Sequence, residues 1–472
     1  MTTLTTNTEN VTRTENGMLT NPTTLNSCVD LFFSIGSMRG KSESTLHRLF
    51  SESYNENPLI TMKILFWSRD VRGGAGERKV FRDILSWLVL NHPQSVSSNI
   101  HLIPEYGRWD DVLTLVGTPL ETEMFCLIRT ALSKMDGLCA KWMPRKGEIA
   151  NKLRKMFRLT PKQYRKMLVN LTNVVETKMC SKDWESIDYS KLPSLASSRY
   201  QNSFQRNDTK RYEEYKEKLL NGEAKVNAST LYPYDVIKSM NNGGDLVVCE
   251  KQWESLPNYM DNSDERILPV VDVSGSMDCS VGDNPNLTCM DVAISLGMYI
   301  SERNVGIFEN MFITFSERPR IEYLKGNTLK ERYTNLGSSD WGYNTDFMKV
   351  FQLILEQAVN NNVSENQMPT KIIVLSDMEF NVADNTYDYT AYGNIKRIYE
   401  EKGYSLPEIV FWNLNARGGN FPVEYNNNGT ALVSGFSPSI LKSILNCEDL
   451  TPMKVMLDTI GSERYNNIKI VY

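Results

Sequence analysis

The C-terminal half is organised around Val271-Asp272-Val273-Ser274-Gly275-Ser276-Met277. This stretch closes the apolar run RILPVVDV, which reads as a strand ending at Asp272. It leaves an Asp-x-Ser-x-Ser pattern where the strand turns into a loop. Alternate residues of extended chain project to the same side, so the carboxylate and both hydroxyls aim at one spot. A lone pattern of this kind is also what a residue pair capping the next turn looks like. The flanking sequence separates the two readings.

Downstream, strands alternate with helices. TCMDVAISLGMYISERN reads as a helix, IFENMFITFS as a strand, TDFMKVFQLILEQAVNN as a helix and KIIVLSDM as a strand. IKRIYEEKGY then reads as a helix, PEIVFWNL and ALVSGF as strands, and PSILKSILN and MKVMLDTI as helices. Near-continuous apolar strands separated by helices predict a mostly parallel, doubly wound α/β sheet covered on both faces. Such sheets bind ligands beyond the carboxyl ends of their strands. Two further polar elements fall at such ends: Gly342-Tyr343-Asn344-Thr345-Asp346 opens a helix, and Leu375-Ser376-Asp377-Met378-Glu379 closes a strand. Three hydroxyls and two carboxylates, from Asp272, Ser274, Ser276, Thr345 and Asp377, are thus expected around one divalent cation.

The chain's three histidines, His47, His92 and His101, lie in the first quarter, so a C-terminal metal must be held by oxygen. That favours Mg2+, or Mn2+ or Ca2+. Mg2+ takes about six oxygens at roughly 2.0–2.1 Å and keeps some water. Neutral hydroxyl ligands leave it under-neutralised and attractive to an outside carboxylate or phosphate. The constellation resembles the metal-ion-dependent adhesion site (MIDAS) of von Willebrand factor A domains, over about 200 residues. The resemblance implies Ser274, Ser276 and Thr345 as direct ligands, with Asp272 and Asp377 acting largely through water. The chain departs from it by the insertion DCSVGDNPNLTC at 278–289, whose Asp278 and Asp283 either approach the metal or are ordinary loop residues.

Upstream, the character is different. Between 28 and 240 apolar residues recur at three- and four-residue spacing, broken near Pro58, Pro93, Pro104 and Pro119. An all-α, irregular helical-repeat (HEAT-like) module is expected there, with 241–264 as a linker and 265–472 as the α/β domain. The first 27 residues, polar and rich in Thr and Asn, read as a disordered tail with no secretory leader. The 472 residues are 41% hydrophobic and 23% charged, with no apolar run long enough to span a bilayer. The eight cysteines form no CxxC pair, which suits a reduced, cytoplasmic chain better than a disulfide framework.

The net charge of −5 is unevenly spread. Lys141 to Lys225 holds 20 basic and 10 acidic residues, a balance of +10. Within it, Lys141 to Lys166 carries ten basic residues and one acidic one, interleaved with Trp142, Phe157 and Tyr164. Such a field suits a polyanion, or a set of solvated helix faces. RDVRGGAGERK (69–79) joins two helices through glycines and reads either as an anion site at a helix start or as a tight turn with paired arginines. Its spacing is not that of a nucleotide P-loop.

A helical half followed by an adhesion-site domain resembles the Ro ribonucleoprotein family with its TROVE module. RDVRGGAGERK, YGRWDDVL, GYNTDF and LSDMEF resemble, more closely, domain-of-unknown-function family 2828. The Ro resemblance implies binding of small or misfolded RNA, with Arg69, Arg72, Arg78, Lys79, Arg145, Lys146, Arg154 and Lys155 as candidate contacts. The alternative is a nucleic-acid-independent adaptor that binds a partner carboxylate through the metal. Hydrolysis is a third reading, with Glu379 the one tempting base. A non-enzymatic protein is expected.

Overall fold

The computed structural model describes residues 11–172, 174–261, 263–281, 284–315, 319–337, 346–381, 391–416 and 419–471. A helical N-terminal region is followed by a mixed-sheet region, and the chain divides into two compact units. The first comprises Met1–Ile64, Tyr232–Asn242 and Leu256–Arg464; the second comprises Leu65–Leu231, Gly243–Ser255 and Tyr465–Tyr472.

The first unit is built on six strands: β1 (Ile267–Val271), β2 (Met311–Thr314), β3 (Ile321–Tyr323), β4 (Lys371–Ser376), β5 (Glu408–Asn413) and β6 (Thr430–Ser434). Their spatial order is β3-β2-β1-β4-β5-β6, parallel throughout except for the antiparallel edge strand β3. The order reverses between β1 and β4, and that reversal opens the crevice where α/β sheets bind ligands. β1, β4 and β6 are buried along their whole length, as strands covered on both faces must be. Registered partners share a face. Val271 pairs with Leu375 and Leu375 with Trp412, while Val270 pairs with Val374 and Val374 with Phe411. Helix Cys289–Arg303 lies on the Val271 face, where Gly297 has no room for a side chain: a Cβ there would stand 2.5 Å from Val271 Cγ2. Helix Phe347–Asn360 covers the other face, its Phe347 ring 5.7 Å from that of Phe411.

Residues 11–27 are not an unstructured tail. Thr12–Arg13 and Leu19–Thr20 pair as an antiparallel hairpin, and Asn21 bridges Phe421. The Thr and Asn side chains that suggested disorder are the ones that tie it down. The Thr14 hydroxyl donates to Phe380 O at 2.7 Å, and Asn16 Nδ2 donates to Glu379 O at 2.7 Å. Helix Ser27–Ile35 is buried on nearly all sides and belongs to this sheet unit, not to the helical module expected from 28 onward. It ends at Gly36, where a Cβ would meet Ser434 O of β6 at 2.6 Å; the close approach lets Gly36 N donate to Ser434 Oγ.

The second unit is an irregular set of short helices, with packed pairs close together in sequence. One core gathers Phe66, Phe81, Tyr106 and Tyr465, with ring centroids 5.4–5.8 Å apart. Another holds Tyr189, Phe204, Tyr212 and Tyr215 together with Val248. Val248 belongs to helix Leu246–Glu254, capped by the Asp245 carboxylate, so the stretch expected as a linker contains a packed helix. The chain's last residues also lie here: Tyr465 donates to Asp70 Oδ2 at 3.0 Å, and Asn99 Nδ2 donates to Lys469 O at 2.6 Å.

Candidate functional site

Asp272 follows β1 and Asp377 follows β4, the two neighbouring strands at the reversal of the sheet. Both are buried, at 0% and 2% exposure. The ladder runs right up to them, with Asp272 N donating to Leu375 O at 2.9 Å, so the two chain ends leave the sheet side by side. Asp272 Oδ1 accepts Ser274 N–H at 3.0 Å, and Oδ2 accepts the Ser376 hydroxyl at 2.5 Å. Ser274 stands at the N-cap of the one-turn helix Gly275–Asp278, yet its side chain does not cap it. Its Oγ lies instead 3.0 Å from Ser276 Oγ. Asp272 thus braces the turn through the Ser274 N–H, while the two serine hydroxyls are left uncommitted to capping.

Two buried carboxylates this close repel one another. Burial first, and the neighbouring Asp377 charge second, push the Asp272 carboxyl up to about 6. Beyond Asp377 the chain turns sharply. Met378 takes a left-handed φ of 66°, uncommon for a residue with a side chain, and its N–H donates to Ser376 Oγ at 3.0 Å. Thr345, the fifth expected ligand, lies outside the described residues, as does Asp283; Asp346, directly after Thr345 in sequence, caps helix Phe347–Asn360. The structure thus brings Asp272, Ser274, Ser276 and Asp377 to one sheet edge. Among the described residues no cluster of three or more His, Cys, Asp or Glu forms a metal site. The donor set here is of another kind, two carboxylates with hydroxyls.

Ser376 was not singled out from the sequence. The signal is the β1–β4 register, which pairs Val271 with Leu375 and so sets residue 376 beside 272. Glu379 is no poised base: its Oε2 accepts Glu15 N–H at 2.8 Å and its Oε1 accepts Asn420 Nδ2–H at 2.5 Å. It anchors the N-terminal hairpin. Asp278 is exposed at the end of the one-turn helix. The insertion it begins forms a small hairpin, Ser280–Val281 against Asn284–Thr288.

In the helical unit, RDVRGGAGERK is a structural turn. Arg69 is not available to RNA: it is 2% exposed, with Nε and Nη2 at 2.8 and 2.7 Å from Asp111 Oδ2. Asp111 Oδ1 also accepts Arg82 Nε–H at 2.6 Å, and Oδ2 accepts Arg108 N–H at 2.9 Å. Gly107 leaves room for this carboxylate, since a Cβ there would come within 2.4 Å of Asp111 Oδ2. Several of the turn's own amides are already used. Gly74 N donates to Asp70 O, Ala75 N to Trp67 O and Glu77 N to Ser68 O. Buried Glu77 stands at the N-cap of the following helix without capping it, and a carboxylate beside that helix start disfavours an anion there. Of the other candidates, Arg72, Arg78, Lys79, Arg145, Lys146 and Lys155 are exposed, and Arg154 is half-buried, donating to Asn151. Tyr164 is buried and Trp142 half-buried under the Arg108 guanidinium, 4.2 Å from its ring, so neither is a free stacking platform.

Two family models match the chain between residues 14 and 467. The model described as domain of unknown function DUF2828 matches residues 14–135 and 122–267, and that described as DUF7788 matches 266–467. The chain belongs to the DUF2828 family. An uncharacterised protein of Acanthamoeba polyphaga mimivirus is similar to it, 30% identical over 514 aligned positions that cover 96% of this chain and 87% of the relative. In this DUF2828 member the helical unit also holds a cavity of about 770 Å³ whose walls include Arg108, Lys141, Lys178, Lys191 and Arg199, with Glu176 and Asp188 pairing with Lys141 and Lys191 and leaving a net positive lining. Lys191 and Arg199 are exposed at its wall. Sequence reading missed them because it weighed the densest basic run, ending at Lys166, rather than the sparser residues beyond it. No helix among the described residues is long and apolar enough to cross a membrane.

Proposed function

We propose that the sheet unit is a von Willebrand A-type domain that binds a partner through a divalent cation at the β1–β4 edge. The observation that carries this reading is the convergence of buried Asp272 and Asp377 with the Ser274 and Ser276 hydroxyls beyond two adjacent strand ends. The strand order supports it as well. Ser274 and Ser276, with Thr345 by resemblance, would hold Mg2+ (or Mn2+ or Ca2+) directly; Asp272 and Asp377 would hold its water shell. Such an ion draws a carboxylate or phosphate from a partner. With Glu379 engaged by the hairpin, the arrangement favours binding over hydrolysis.

The first test is thermal. At about a hundred times its dissociation constant a cation contributes about 2.7 kcal/mol, a rise in Tm of about 5–10 °C for a domain this size. EDTA should reverse it. The rise should also depend on pH. Without a cation, the raised Asp272 value means the folded state holds a proton that the unfolded chain, at about 3.9, has released. Apo stability therefore falls as pH rises from about 4 through about 6. A cation relieves that repulsion, so its Tm increment should be larger at pH 7.5 than at pH 5. Equal increments at both values would contradict the assignment.

A second reading concerns the helical unit, and the basic cavity favours it: this unit binds small or misfolded RNA in the manner of Ro-like ribonucleoproteins. Charge reversal at Lys191 and Arg199 should then weaken binding of a single-stranded RNA. It should also flatten the dependence of log K on log salt by about 0.7 for each phosphate that is no longer neutralised. RNA binding unchanged in the double variant would remove the cavity as the RNA site, and RNA binding absent from wild type at about 50 mM salt would leave the cation-dependent adaptor standing alone.

A further inference from the structure

The insertion that follows the candidate cation turn is closed by two thiols. Cys279 comes directly after the one-turn helix Gly275–Asp278, three residues beyond Ser276, and Cys289 is the first residue of helix Cys289–Arg303. Their sulfurs lie 3.5 Å apart, and Cys289 N donates to Cys279 O at 3.1 Å, so the backbone already holds the two positions against each other. Cys279 is partly exposed, with Asn415 Nδ2 3.2 Å from its sulfur. Cys289 is buried, its sulfur 3.6 Å from Leu414 O. An oxidant can therefore reach one sulfur, and the other waits behind it.

We propose that Cys279 and Cys289 form a reversible disulfide under oxidation by a peroxide, and that the bond lowers the cation affinity of the adjoining turn. The Cys279 thiol and hydrogen peroxide give a sulfenic acid and one water. The Cys289 sulfur then attacks the Cys279 sulfur, forming the S–S bond and expelling the hydroxyl as a second water. Two electrons pass from the thiol pair to the peroxide, and both thiol protons end in water. A dithiol restores the starting state by exchange. Bonded sulfurs stand about 2.05 Å apart, so they must approach by about 1.5 Å. Cys289 is fixed on a helix whose residues from Cys289 to Ser301 are nearly all buried. The Cys279 side therefore gives way, by rotation of its side chain or by a shift of the turn carrying Ser274 and Ser276, and the loss of cation affinity requires the second. This second clause rests on the cation reading above; the disulfide itself does not.

The full chain is treated with stoichiometric peroxide, blocked with an alkylating agent, and mapped by peptide mass. Of its eight thiols, two should be lost as a single Cys279–Cys289 link, restored by dithiothreitol and absent from Cys279→Ser and from Cys289→Ser. Retention of both thiols while exposed Cys126 and Cys180 oxidise, or linkage of a different pair, would overturn the proposal. Mn2+ binding measured on the same samples reads the second clause. The oxidised protein should bind several-fold more weakly than the reduced one, with Cys279→Ser indifferent to peroxide. A mapped link with unchanged Mn2+ affinity overturns the regulatory part. Absence of Mn2+ binding even in the reduced protein overturns it too, through the cation reading, while the peptide map still decides the disulfide.

Discussion

Asp111→Ala should cost the helical unit about 3–5 kcal/mol, the loss expected when one partner of a buried ion pair is removed and the other remains. Arg69 would keep its charge at 2% exposure with its Nε and Nη2 donors left facing a void. Arg82 and the Arg108 amide would lose an acceptor as well. The change couples two stretches far apart in sequence, because RDVRGGAGERK supplies the arginine and YGRWDDVL the carboxylate. Arg82→Ala should cost far less, since that side chain is 27% exposed and water can replace it at the rim. Urea denaturation followed by far-UV circular dichroism measures both. A loss below about 1 kcal/mol for Asp111→Ala would mean the pair is not the node that joins the two loops.

Asp272→Asn should separate stability from binding. The amide nearly keeps the carboxylate's shape, retains an oxygen to accept the Ser274 N–H and presents an N–H to Ser376 Oγ, whose hydroxyl turns from donor to acceptor, while removing the charge that repels Asp377. The cation-free variant should therefore be at least as stable as wild type at pH 7.5. Its cation affinity should nevertheless fall by about 10–100-fold, as for groups that orient a metal's inner ligands. Differential scanning calorimetry with and without Mg2+ reads both effects. A variant that is simply less stable, with its cation response intact, would place Asp272 in the scaffold and not in a binding site.

The gathering of Asp272, Ser274, Ser276 and Asp377 at one edge was legible because they sit where the chain itself signals strand ends. Asp272 and Asp377 each close an apolar run, and the serines follow at fixed spacing. Ser376 was not, since only the β1–β4 register brings it against Asp272, and register is a property of two strands. The edge strand Ile321–Tyr323 was missed for a related reason: three residues of mixed polarity carry no period. Arg69 was left open between two readings, because a glycine-rich basic loop has the same local chemistry whether it receives an anion or packs against a carboxylate. Here the carboxylate lies at Asp111, and nothing near 69 announces it. The unit boundaries failed for want of a local signal as well. Helix Ser27–Ile35 gives no polar outer face to mark its surroundings, being buried from Cys28 to Ile35, and only its packing against β6 assigns it to the sheet unit. The short C-terminal segment shows its place through Tyr465 and Asn99, whose partners lie hundreds of residues away.

An anomalous-difference map from crystals grown with Mn2+ bears most directly on the proposed site. One peak per chain is expected beyond the ends of β1 and β4, bonded to Ser274 Oγ and Ser276 Oγ, with Thr345 completing the hydroxyl set and Asp272 and Asp377 behind its waters. A map with no peak at this edge, or with the ion held elsewhere and Thr345 turned away from the two serines, would contradict the assignment.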